Sequence, residues 1–190
     1  MTCARIRLAS GLALALLGAC GPKSPPQPAP AGVAPLVRGS TVAVREFPIA
    51  ADAITSYRGA RDAFGLIIAE EIARELRERG HEARAIRADA PTSAPIVVVG
   101  RITMLDGGSR GLRYWVGFSA GAAKLGVVGE VVRDDGQRVG TFTDERWSSF
   151  GKFGGASQDL LEKCARTLGK DIAEMVDTGE YRRLGRPAVP

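Results

Sequence analysis

The run Ile96-Val97-Val98-Val99-Gly100-Arg101-Ile102-Thr103-Met104 constrains the fold more than any other stretch of the chain. It is short, rich in β-branched residues and apolar on both of the faces that an extended backbone presents. That pattern predicts the central strand of a sheet covered at least partly on each side. Ahead of it, Thr41 to Phe47 reads as a strand ended by Pro48, which has no N–H to give to a ladder. From about Arg61 to Arg79, Phe64, Ile68, Ile72 and Leu76 recur every fourth residue beside Ile67, which predicts a helix with one apolar stripe. Glu70 with Arg74 and Glu75 with Arg79 stand four apart on its other side, and Gly80 supplies a left-handed stop.

A short strand over Glu82–Arg87 and a Pro91–Pro95 loop lead into the central run. Two further strands, about Ala123–Arg133 and Arg138–Trp147, flank Asp134-Asp135-Gly136-Gln137, where Asp-Gly signals a hairpin and the two acids read as turn residues. A last helix, about Gln158–Val176, gathers Leu161, Cys164, Leu168, Ile172 and Met175 on one face. The order β-α-β-β-β-β-α predicts the α/β (α+β) class, with a mixed sheet of about five strands and two helices. The first strand-helix-strand unit is expected to cross over right-handed.

The amino terminus carries a different kind of information. Arg5 and Arg7 precede an apolar stretch from Leu8 to Leu17, then Leu17-Gly18-Ala19-Cys20. The apolar block is too short to span a bilayer permanently and fits a cleaved export signal. Leu17-Gly18-Ala19-Cys20 resembles the lipobox of bacterial lipoproteins, which implies cleavage before Cys20 and acylation, for instance by palmitate, of its sulfur. Gly21 after that cysteine implies, by the same resemblance, delivery to the periplasmic face of the outer membrane. Several acyl chains anchor far more firmly than one. The expected organisation is a signal peptide at 1–19, then lipidated Cys20 and a tether to residue 39. A single globular periplasmic domain at 40–178 and a flexible basic tail at 179–190 follow. Six prolines between Pro22 and Pro35 favour extended polyproline geometry, so the tether reaches up to roughly 60 Å.

Composition excludes several functions. The formal charge of +5 includes Arg5 and Arg7, so the mature chain carries +3. Its bases alternate with acids along most of the length, unlike the one-sided basic, aromatic surface of a nucleic-acid binder. Of three cysteines only Cys164 would remain as a thiol, so the fold must stand on its hydrophobic core. A single histidine and scattered acids give no metal-ligand spacing, and no cofactor is expected.

Gly117-Phe118-Ser119-Ala120-Gly121 matches the Gly-x-Ser-x-Gly elbow of serine hydrolases, but His81 precedes the serine and a strand follows where that elbow needs a helix. An esterase-like hydrolase acting through Ser119 therefore stands second, and His81 reads better as a turn residue beside Gly80. Half of the 24 glycines lie between Gly107 and Gly155. Loops of this kind can bind an anion through backbone amides or can serve close backbone packing, the reading favoured here. The segments lack the ending of a phosphate loop. Arg110, Arg113, Gly117, Gly121, Lys152, Gly154 and Gly155 are the candidate contacts for a partner or anion. Tyr114–Val128 with Val139–Trp147 is a weaker candidate for a barrel hairpin, because Asp144, Glu145 and Arg146 suit lipid poorly.

Asp106 to Arg110, Arg113 to Gly121, Asp135-Gly136 and Gly151 to Gly155 together resemble an uncharacterised family of proteobacterial envelope lipoproteins, a domain of unknown function, over roughly residues 95–176. The element order is similar to the amino-terminal domain of TolB and to curli-secretion and peptidoglycan-synthase-activator lipoproteins, a likeness of fold that dictates no function. The resulting expectation is a non-enzymatic module that binds another envelope protein or assembles with itself. A subunit of an oligomeric secretion pore is a further alternative.

Overall fold

The computed structural model describes residues 34–109, 121–148 and 156–181. Along the chain run β1 (Thr41–Arg45), β2 (Ile49–Thr55), α1 (Ala63–Glu78), β3 (Glu82–Ile86), β4 (Ile96–Asp106), β5 (Ala123–Arg133), β6 (Arg138–Ser148) and α2 (Ser157–Thr178). The six strands form one sheet in the order β3-β1-β4-β5-β6, with β2 also beside β4. β1 lies parallel to both β3 and β4, and β2 is parallel to β4. β4, β5 and β6 form an antiparallel meander. The mixed sheet with two helices is the class expected, with one strand more.

That strand is β2. It continues along β4 where β1 leaves off, β1 lying opposite Ile96–Val98 and β2 opposite Ile102 to Leu105. The join is at Pro48, whose carbonyl accepts from the Ile102 N–H at 2.9 Å. None of its residues is buried and Ile54 is 67% exposed, so β2 is held through its backbone and leaves no apolar alternation to read.

Both helices pack on one face of the sheet, the face carrying Val42, Val44, Val98, Ile102, Leu105, Leu125, Val127, Val131 and Phe142. Their stripes are those the spacing predicts: Phe64, Ile68, Ile72 and Leu76 on α1, and Leu161, Cys164, Leu168, Ile172 and Met175 on α2, are all buried. The helices touch closely because Gly169 has no side chain; a Cβ there would stand 2.6 Å from the Glu71 Cβ. Gly100 and Gly129 face each other across β4 and β5, and the rings of Phe47 and Phe142 fill the room they leave, their centroids 6.3 Å apart.

β4 is covered at least partly on each side, as expected: the described helices pack on one face, and Val97, Val99 and Met104 are half-buried on the other. Three expectations change. The α1 pairs differ, Arg74 bonding Glu71, Glu75 and Glu78 rather than Glu70, and Arg79 reaching Asp177. Leu36, assigned to the tether, packs on the core and donates its N–H to the Asp177 carbonyl at 3.0 Å. Tyr181, assigned to the tail, is 5% exposed with its ring over Gly140. Single apolar residues in proline-rich or basic stretches carry no periodicity, so neither anchor was visible.

Candidate functional site

Of the glycine concentration, Gly107, Gly108 and Gly121 lie at the end of the sheet where β4 finishes and β5 begins. Arg110, Arg113, Gly117, Ser119, Lys152, Gly154 and Gly155 lie outside the described residues, as does Cys20. Gly121 is described, with a positive φ of 76°. Its carbonyl oxygen would be 2.1 Å from a Cβ on Gly108, itself at φ 65°. A Cβ on Gly107 would come within 2.9 Å of the Tyr57 ring and 3.4 Å of Ser157. These three glycines therefore let four chain segments meet, at Tyr57, Gly107–Gly108, Gly121 and Ser157. Asp106 ties the junction together: its Oδ1 accepts from the Gly108 N–H at 2.8 Å and from the Ser56 hydroxyl.

On the face away from the helices, a shallow depression of about 570 Å³ spans β4, β5 and β6. Val99 and Val128 line it, with Arg101, Thr141 and Thr143 around them and an Arg138–Glu130 ion pair at 2.5 Å. Trp147, farther along the same face of β6, is 48% exposed. Strand alternation accounts for the mixture, since β5 turns Leu125, Val127 and Val131 to the helices and Val128, Glu130 and Val132 outward.

Charged groups inside the fold fall into three clusters. Glu71, 5% exposed, is held below its ordinary value by its bonds to Arg74, with Arg166 and Lys170 adding to the field. The same contact raises Arg74. At the joined ends of α1 and α2, His81 is buried and its Nε2 lies 2.9 Å from Asp177 Oδ1, with Arg79 3.3 Å from the other oxygen. So His81 does sit at the helix-to-strand turn, and it is occupied there. Where β6 meets α2, burial pushes Asp144 up to about 7, although Arg146 Nη1 lies 3.0 Å from its Oδ1. Arg146 meanwhile gives Nε and Nη2 to Asp171 Oδ2 at 2.9 and 2.7 Å. Burial likewise raises the Cys164 thiol to about 11 and the Tyr181 phenol to about 12.

Residues 42–151 match the family model described as Domain of unknown function (DUF4410). The chain belongs to this family. The DUF4410 match takes in every strand and α1 and stops before α2, so it starts some fifty residues earlier and ends earlier than the resemblance over 95–176 implied. Among solved structures, the PelC dodecamer of Paraburkholderia phytofirmans is similar at 22% identity and a TM-score of 0.50, over 83% of this chain and 96% of that one. A Xanthomonas campestris protein described as DUF330 is 17% identical over 77% of this chain and 95% of that one, with a TM-score of 0.46. At such identities the likeness to PelC is one of fold alone. No curated protein matches the chain.

From the sequence, glycines and loop cations stand out as site candidates, whereas Asp144 and Arg146 of the DUF4410 region read only as part of a charged run and Asp171 of α2 carries no signal. For the β6 pair a signal was present. Counting by twos along β6 puts Gly140, Phe142, Asp144 and Arg146 on one face, the face that Phe142 marks as core. Among the described residues no helix is long and apolar enough to cross a membrane, and no cluster of metal-ligating side chains occurs.

Proposed function

We propose that the chain is a lipid-anchored module of the cell envelope that works by assembling with copies of itself, not by catalysis. The observation that carries this reading is the sheet face on which none of the described helices packs, where Val97, Val99, Val128 and Val132 are half-buried beside an exposed Trp147. Apolar surface left partly open, rimmed by an ion pair and threonines, is the composition of a protein contact. PelC, which shares the fold, is a dodecamer. The anchor rests on the order of Arg5, Arg7, the apolar stretch and Cys20, and it places the domain at the periplasmic face of the outer membrane. A different envelope protein as partner is the coarser form of the same reading. The second reading remains an esterase-like hydrolase acting through Ser119, which lies outside the described residues.

The test is the mass of the detergent-extracted lipoprotein by light scattering, compared with Val128→Glu. A multiple of the chain mass that collapses to monomer in the variant is expected. A wild-type monomer, or turnover of simple esters that Ser119→Ala abolishes, would overturn the proposal.

A further inference from the structure

One guanidinium serves two acids where β6 meets α2. The Asp144 side chain is fully buried, and neither of its oxygens accepts a hydrogen bond among the described residues. Arg146 approaches to 3.0 Å but is aimed at α2, where it commits two N–H groups to a single oxygen of Asp171. Across β5 the partners of Asp144 and Arg146 are Val127 and Leu125, both fully buried, so that side offers no charge and no donor. β6 itself adds Glu145, whose backbone N–H favours ionisation of Asp144 while its negative charge works against it. α2 adds Asp171, whose charge also works against it, and Cys164, a buried thiol lying within the field of Arg146 and Lys163.

We propose that Asp144, Arg146 and Asp171 form a proton-operated latch that sets how firmly α2 is held on β6. With Asp144 protonated, Arg146 and Asp171 make a neutral pair across the two elements. With Asp144 ionised, two carboxylates compete for one cation, and Asp144 does so from a fully buried position while Arg146 and Asp171 stay partly exposed. An unpaired buried charge is costly enough that admitting water between strand and helix relieves it. The latch therefore holds in acid and loosens as the pH rises toward neutrality. That range is crossed by a compartment whose pH follows the medium, although the latch stands whether or not the chain is anchored as proposed.

Hydrogen exchange of the full-length, detergent-solubilised chain, corrected for intrinsic rates, reads the latch through peptides covering 157–178. Between about pH 5 and pH 7 the opening constant of α2 should rise by up to about tenfold per pH unit and then level off, since the closed state binds the extra proton there. Asp144→Asn and Asp144→Leu should each abolish the slope. Asp171→Asn, which frees Arg146 for Asp144, should bring the plateau to a lower pH. A flat wild-type profile overturns the proposal even if no variant folds, and so does an unchanged slope in either Asp144 variant.

Discussion

Placing a single methyl group at Gly129 tests how this core is assembled. A Cβ there would stand 2.3 Å from Phe142 Cζ and 2.5 Å from the Val99 carbonyl oxygen. The ring has little room to retreat, because the Phe47 ring lies next to it and itself occupies the space over Gly100. The carbonyl is part of β4, where Val99 is paired with Glu130 of β5. Overpacking of this kind costs about 1–3 kcal/mol, while replacing glycine by alanine in a strand returns about 0.5–1 kcal/mol through the unfolded chain. Gly129→Ala should therefore lose about 1–2 kcal/mol in urea unfolding. Adding Phe142→Leu should recover part of that loss, which makes the two changes non-additive. Gly136 is the control, since a Cβ there meets nothing within 4 Å and only its φ of 80° resists substitution. If Gly129→Ala unfolds at the wild-type midpoint, or Phe142→Leu makes it worse by the full sum of the single losses, the packing argument fails.

Tyr181→Ala should lower stability by about 3 kcal/mol, the scale of removing a buried aromatic ring; a loss below a few tenths in the same urea assay would show that the ring over Gly140 is a passive tail contact. Glu71, whose folded pKa lies below its ordinary 4.5, contributes stability that is present above that value and is lost as pH falls through the lower one. Thermal melts of Glu71→Gln should accordingly lack the acid-side decline seen in the wild type. Cys20→Ser should stop incorporation of labelled palmitate and release the chain from the membrane fraction, and retained label would remove the anchor from the proposed function.

How much was legible depended on whether side chains or backbone carried the information. The α1 and α2 stripes and the β5–β6 hairpin were readable because buried residues repeat at the helical period and Asp-Gly fits a turn with positive φ, which Gly136 has. β2 was not, since an edge strand with no buried residue leaves only backbone bonds. Asp134 and Asp135 were correctly read as turn residues, and both carboxylates accept from nearby backbone N–H groups. The glycine-rich segment gave mixed returns: Gly107, Gly108 and Gly121 serve close packing, as the bland reading favoured. The cations chosen with them are not among the described residues. Asp144, Glu145 and Arg146 were treated as one charged run, which hid the alternation that sends the first and third inward.

The two buried acids set opposite limits on stability, and the difference lies in how many cations each has. Glu71 has Arg74 bonded to it and Arg166 and Lys170 in its field, so its charge is met within the fold. Asp144 has a share of one. Its folded value of about 7 against an ordinary 3.8 means that it favours the folded state only below the ordinary value, and that this advantage is lost as pH rises to about 7. At about 1.36 kcal/mol per pH unit, that gap caps the penalty at roughly 4 kcal/mol above neutrality. Asp144→Val, of similar size and free of charge, should then stabilise the chain strongly at pH 7.5 and much less at pH 4. Calorimetric melts at the two pH values separate the causes. Equal stabilisation at both would mean that packing, not charge, is what the valine improves, and the latch would have no electrostatic basis.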